Sequence, residues 1–241
     1  DGRGLMLGRL FLVLAGALLA ALSAAAGERV RGAPYDVGLS RDGPGLLLHE
    51  LRQASRPDVA AVIAVIQAAR PDVLLINQFD HDLRGEALAA FRRLLSAGPE
   101  GIDYPYWFDA PVNAGVQTGL DLDGDGRTMG RDDALGWGGF PGDGGMAVLS
   151  RLPIDADAAR TFRGLLWASR PGGAPMLGAE ARAVLPLSAR AHWEVPVILP
   201  DGTRIRLLAA NPTPPLYGPE GLNPARNDAE IALWADYLDG A

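Results

Sequence analysis

The sequence contains no cysteine and no lysine. The first absence removes disulfides, thiolate zinc sites, iron–sulfur clusters and cysteine nucleophiles, so any metal has to be held by oxygen or imidazole ligands. The second makes arginine the source of all 22 basic side chains, against 29 Asp and Glu, for a formal charge of −7. Bulk electrostatic binding of nucleic acid depends on clustered cations that neutralise phosphates, and so acidic a chain argues against it. A local phosphate site is still compatible with that balance. Histidine is scarce, with His49, His81 and His192 the three imidazoles available. Hydrophobic residues, by contrast, make up 48% of the 241 positions, enough to bury the core of one large domain.

The head of the chain carries Arg9, an apolar run from Leu10 to Leu22, and then Ser23-Ala24-Ala25-Ala26-Gly27. This order of basic start, apolar middle and small residues is the plan of a secretory signal peptide, with cleavage expected after Ala26. The run is shorter than the roughly 20 residues that cross a bilayer, which favours export over anchoring. Residues 1–26 are therefore read as leader and upstream sequence, and residues 27–241 as one exported domain, periplasmic or secreted, monomeric and free of membrane. Without residues 1–26 the chain keeps 20 basic and 28 acidic side chains, a charge of −8, because only Arg3, Arg9 and Asp1 are removed.

Downstream there is no internal repeat and no second run of membrane length. Tyr35 to Leu39 reads as a short strand. Arg56 to Ala69 places Val59, Val62, Ile63 and Ile66 at helical spacing, with Pro57 in a tolerant first turn. Val73 to Ile76 is a continuous apolar run of the kind buried on both faces of a sheet. Glu86 to Leu95 is a second amphipathic helix, and Met146 to Ser150 returns to strand character. Between them, residues 98–145 form a long irregular excursion rich in Gly, Asp, Pro and aromatics, the sort of segment that carries function or an ion. Trp193 to Leu199 and Thr203 to Ala209 flank Pro200-Asp201-Gly202 as a hairpin, and Ala225 to Leu238 is helical. The pattern predicts an α/β sandwich containing a mixed sheet.

Three segments carry a more specific signal: Arg70-Pro71-Asp72-Val73-Leu74-Leu75-Ile76-Asn77-Gln78-Phe79-Asp80, Gly145-Met146-Ala147-Val148-Leu149-Ser150-Arg151-Leu152-Pro153-Ile154, and Ala209-Ala210-Asn211-Pro212-Thr213-Pro214-Pro215. Together they resemble an exported bacterial branch of the endonuclease/exonuclease/phosphatase superfamily, the deoxyribonuclease-I-like phosphoesterases, over roughly residues 33 to 239. The resemblance implies an α/β (α+β) fold, a four-layer sandwich of two mixed sheets flanked by helices. It also implies hydrolysis of a phosphodiester or phosphomonoester, in a small molecule or a nucleic acid, with Mg²⁺ or Mn²⁺ neutralising the phosphate. The family's metal-binding glutamate falls at Gln78, whose amide oxygen can ligate but carries no charge. Asp36, near the end of the first strand, is the expected replacement carboxylate, with a catalytic role beside the metal. The family's histidine falls at Asn211, which donates hydrogen bonds but does not titrate near neutrality. His192 is the remaining imidazole candidate for the site. Arg190, Arg226 and Asn227 are the candidate phosphate contacts, with Asp228 and Ala229 standing where the family has His and Asp before Glu230. No Asp-x-Asn occurs, and the family's terminal Asp-His is missing as well, so the C-terminal strands of the sandwich are expected to be absent.

The excursion contains a separate motif. Asp121, Asp123, Asp125 and Asp132 occupy positions 1, 3, 5 and 12 of a twelve-residue loop with Gly126 at position 6, the spacing by which an EF-hand-type loop wraps Ca²⁺. Position 12 is Asp instead of Glu, and no entering helix precedes the loop, so an Asp/Gly turn with solvated carboxylates is the other reading. His81, between Asp80 and Asp82 just past Gln78, stands out from the isolated His49. Two functions follow from these features: a metal-dependent phosphoesterase, or a catalytically impaired relative acting as a calcium-braced binding module.

Overall fold

The computed structural model describes residues 29–218 and 221–240, so the expected leader lies outside the described residues. Strands β1 (Gly32–Leu39), β2 (Val73–Phe79), β3 (Tyr106–Phe108) and β4 (Met146–Ser150) form one sheet in the order β1-β2-β4-β3. β1 and β2 run parallel, while β2–β4 and β3–β4 are antiparallel, so this sheet is mixed. β5 (Arg160–Thr161), β6 (His192–Ile198) and β7 (Arg204–Ala210) form the second sheet. It was expected to be mixed as well, and its three described strands are antiparallel, because the Asp201-Gly202 turn folds β7 straight back on β6. Helices α1 (Leu46–Gln53), α2 (Pro57–Ala69), α3 (Glu86–Leu95), α4 (Ala179–Val184) and α5 (Leu222–Asp239) complete the described regular structure with two short 3₁₀ turns.

Side-chain alternation explains the layering. In β2 and β4, Leu74, Ile76, Ala147 and Leu149 pack with Leu47, Leu51, Val59, Ile66 and Phe91 of the first three helices. The intervening residues Met146 and Val148 are equally buried and point to the opposite face. There Phe108 of the first sheet meets Trp193 of the second edge-to-face, with ring centroids 5.3 Å apart. On the far side of the second sheet, Trp234 of α5 packs against His192 and Phe162. Helices, sheet, sheet and helix thus stack in four layers, and β4 and β6 are buried along nearly their whole length because both of their faces are covered.

The helix at 57–69 and the hairpin lie where the periodicity put them, and the strand expected at Val73 to Ile76 runs three residues further, to Phe79. α1 went unpredicted because three consecutive leucines behind Gly-Pro-Gly give no helical spacing by themselves. β3 is three residues at a sheet edge, hidden inside the irregular excursion. α5 begins three residues before the predicted start, since Pro224 sits in its first turn, where a missing N–H costs nothing.

Candidate functional site

The C-terminal ends of β1 and β2 lie beside the N-terminal end of β4, and at this end the pairing is deliberately irregular. Asp36 pairs with Asn77 and Leu39 with Phe79, so Val37 and Gly38 together oppose the single residue Gln78. Gly38 takes φ +60°, and Gln78 takes φ +56°, a left-handed conformation unusual for a side-chain-bearing residue. The kink turns the Gln78 side chain into a cleft of about 1230 Å³ that is also lined by Arg190 and Asn211. Arg190 comes from the segment leading into β6, and Asn211 is the first residue after β7.

Gly144 makes room for this floor. A Cβ there would lie 2.5 Å from Gln78 Oε1 and 3.2 Å from Arg190 Nη2, so both side chains rest against bare backbone. Gly136 does the same for the excursion: a Cβ at that position would fall 1.7 Å from the Ala189 carbonyl oxygen. Arg190 donates to the Trp137 carbonyl at 3.0 Å. Its burial lowers the guanidinium pKa, and the carboxylates of Asp143, Glu230, Asp36 and Asp80 oppose that shift. It stays cationic, as arginine does in proteins. Asn211 Nδ2 is buried with no hydrogen-bond partner in the protein, a donor with its capacity unused in a residue that lines the same cleft as Arg190.

Asp80 and Asp143, which sequence reasoning did not select, form the layer beneath the floor. Asp80 accepts from the Gly144 and Arg41 amides, each at 2.9 Å. Burial is the main cause that raises it to about 6, with the Asp143 charge adding to the effect. Asp143 accepts from Ser40 Oγ at 2.6 Å, from the Gly139 amide at 2.7 Å and from Arg131 at 3.2 Å. The available signal was the position of Asp80 directly after the strand that ends in Gln78.

α5 locks the two floor-bearing segments in place. Glu230 is fully buried and accepts from the Ala189 amide at 2.7 Å and the Thr213 amide at 2.6 Å, one residue before Arg190 and two after Asn211 respectively. Asn227 donates to the Thr213 carbonyl at 2.6 Å. Arg226 lines the cleft but donates to the carbonyls of Leu187, Leu135 and Pro186 at 2.8–3.0 Å. Arg226 and Asn227, expected as phosphate contacts, therefore brace the site through backbone.

His192 also departs from expectation. It is fully buried, its Nε2–H donates to the Glu230 carbonyl at 2.9 Å, and its Nδ1 accepts from Ser188 Oγ at 2.7 Å. Burial pushes it down to about 4, so the ring is a neutral core group engaged at both nitrogens. Asp36 is exposed on the bulged strand, does not line the cleft, and accepts from the Gly38 amide at 3.2 Å. It reaches the site as a charge acting on Arg190. His81 pairs instead with Asp109, Nδ1 to Oδ1 2.7 Å; burial lowers its imidazole pKa, but the Asp109 hydrogen bond and the charges of Asp109 and Asp82 together raise it.

On the cleft wall, Asp121 and Asp123 approach buried Asp133, with one oxygen of each within 4.8 Å of the others. Asp133 takes the place expected of Asp125 and Asp132. Asp125 Oδ1 accepts from the Arg127 amide, which closes a local turn, and Asp132 is exposed at the cleft lining. Three hard oxygen donors suit Mg²⁺ or Ca²⁺. The floor around Gln78 offers a cation one neutral oxygen beside a guanidinium, a poor donor set for a divalent metal.

A model of the Endonuclease/Exonuclease/phosphatase family matches residues 43–240, most of the chain. The chain belongs to this family. The match spans every residue that lines the cleft. A solved structure of an endonuclease/exonuclease/phosphatase from Beutenbergia cavernae shares 19% identity over 86% of this chain, with a TM-score of 0.49. The chain spans 43% of that protein's length. No curated protein matches the chain. As a family member the chain is related to hydrolases of nucleic acid or phosphoesters, and its departures from the expected pattern at Gln78 and Asn211 both lie in the cleft.

Proposed function

We propose that the cleft binds and hydrolyses a phosphoester with the help of a divalent cation. The observation that carries the reading is the convergence of Arg190, Gln78 and the unpartnered Asn211 amide on one floor, drawn from three separate segments. Arg190 supplies the fixed positive charge and a planar pair of donors for phosphoryl oxygens. Asn211 Nδ2 donates to a second oxygen, and the Gln78 amide orients the group between them. Asp121, Asp123 and Asp133 are the residues that would hold Mg²⁺, Mn²⁺ or Ca²⁺, and a cation bound there supplies neutralisation of phosphoryl charge. Export, with cleavage after Ala26, belongs to the same reading. Bis-p-nitrophenyl phosphate with Mg²⁺ or Mn²⁺ tests it: metal-stimulated release of nitrophenolate that Arg190→Ala abolishes is expected, and no turnover above the metal-only rate overturns it.

A second reading is favoured by the chemistry of the floor itself. Neither Gln78 nor Asn211 titrates near neutrality, and His192 is sealed in the core. On this reading the chain is a catalytically impaired binding module braced by Ca²⁺ on the excursion. It predicts that Ca²⁺ raises the melting temperature while Mg²⁺ does not, and that Asp133→Asn removes the effect. A ligand at a hundred times its dissociation constant stabilises by about 2.7 kcal/mol.

A further inference from the structure

The cleft is larger than the roughly 300–1,000 Å³ usual for a small-molecule pocket, at about 1230 Å³, and a phosphate fills only a small part of it. Its walls specify the remainder. Three arginines line it, but Arg131 is paired with Asp143 and Arg226 is committed to backbone carbonyls, which leaves Arg190 as the guanidinium facing a ligand. Asp121, Asp123, Asp132 and Glu180 line the same space. With a divalent cation on Asp121 and Asp123, a polyanion would still meet one available guanidinium and the carboxylates of Asp132 and Glu180, whereas chains of phosphates are held by several cations.

Beyond the charges the lining is apolar and unusually open. Trp137, Met176, Leu216 and Tyr217 all line the cleft, yet each is 48% to 83% exposed. Large apolar side chains gathered at one mouth mark a binding surface. The Trp137 ring and the backbone that carries Leu216 and Tyr217 are held in place. The Arg131 guanidinium stacks on the Trp137 ring at 4.9 Å, and Asn223 Nδ2 donates to the carbonyls of Leu216 and Tyr217 at 3.0 and 2.8 Å. Tyr217 is kept at φ +65° by that clasp, a conformation a free tyrosine avoids.

We propose that the cleft selects an amphiphilic phosphoester, with one phosphoryl group on Arg190 and Asn211 and an aryl or alkyl body lying against Trp137, Met176, Leu216 and Tyr217. This rests on the phosphoester reading of the same cleft and specifies its substrate class. In hydrolysis the water oxygen bonds to phosphorus, the P–O bond to the body breaks, and a water proton ends on the departing alcohol oxygen.

Binding separates this inference from turnover. Tryptophan fluorescence titrations in Mg²⁺ buffer compare inorganic phosphate, phenyl phosphate, hexyl phosphate and a short single-stranded oligonucleotide. Phenyl or hexyl phosphate is expected to bind at least tenfold more tightly than inorganic phosphate and than the oligonucleotide. The stronger of the two identifies an aromatic or a lipid-like body. Trp137→Leu and Tyr217→Ala should each reduce that preference at least threefold, measured by calorimetry where the tryptophan is replaced, while Arg190→Ala weakens all phosphates together. Equal affinities for inorganic phosphate and the two esters, or tighter binding of the oligonucleotide, overturn the proposal. Selective binding without hydrolysis of any ester would refute the enzyme and leave the selectivity standing; hydrolysis with no preference for the apolar body would do the reverse.

Discussion

Gln78 and Arg190 are the two residues on which the site turns, and each makes a distinct demand on the chain. Gln78 holds φ +56° inside a bulged strand end, where a side-chain-bearing residue costs about 1–3 kcal/mol that glycine avoids. Gln78→Gly is therefore expected to raise stability by up to about 1 kcal/mol after the greater flexibility of the unfolded glycine is counted. The same change should weaken phosphate binding, because the orienting amide is gone. Denaturant unfolding beside a phosphate titration checks both; a variant that loses stability would show that Gln78 contacts outweigh its backbone strain. Arg190 contributes geometry as well as charge. Arg190→Lys keeps the cation but replaces a fork of donors by a point charge, and inorganic phosphate affinity is expected to drop about tenfold, or about 1.4 kcal/mol.

At the level of elements, α5 does for the site what the strands alone do not. Its Glu230 receives amides from the Arg190 and Asn211 segments at once, and Arg226 lies close enough to stabilise the carboxylate that burial disfavours. Glu230→Ala leaves two buried amides without their acceptor, a loss of about 1–3 kcal/mol for each. Glu230→Gln keeps one acceptor and should cost less, and phosphate affinity should fall in both variants. Chemical denaturation and phosphate titration of the pair measure this; unchanged phosphate affinity in a folded Glu230→Gln would detach α5 from the site. The helix itself was legible in the sequence, as were β2, β4 and the hairpin, since apolar period reports which face is buried. Gln78, Arg190 and Asn211 were legible through the resemblance to the family, whose motifs lie at or beside the ends of those strands. The roles of His192, Arg226 and Asn227 were not, because a polar residue at a strand or helix start reads the same whether it faces solvent, a ligand or a backbone carbonyl 40 positions away. Asp133 was missed for a related reason: loop spacing counts residues, while the fold of the excursion decides which carboxylates converge.

Over the whole molecule, two buried groups set opposing responses to pH. His192 is held down to about 4 from an ordinary value of 6.5. As pH falls through 6.5 the unfolded chain takes up its proton while the native core refuses it, so stability is lost down to pH 4. Asp80 is raised from 3.8 to about 6. The native state takes its proton first, so its contribution grows as pH falls from 6 to 3.8 and is lost as pH rises through 6. At 1.36 kcal/mol per pKa unit each effect is worth up to about 3 kcal/mol, and the two offset over nearly the same window. Glu230, also raised, acts in the direction of Asp80, and His81, raised by Asp109, gives its stability below 6.5 and loses it as pH rises. Asp80→Asn takes one of the opposing slopes away. Its stability relative to the parent chain is expected to worsen by about 2 kcal/mol between pH 6.5 and pH 4, read from urea unfolding at both values. A difference that stays constant across that window would mean that Asp80 ionises in its ordinary range, and that the layer under Gly144 is wetter than its hydrogen bonds imply.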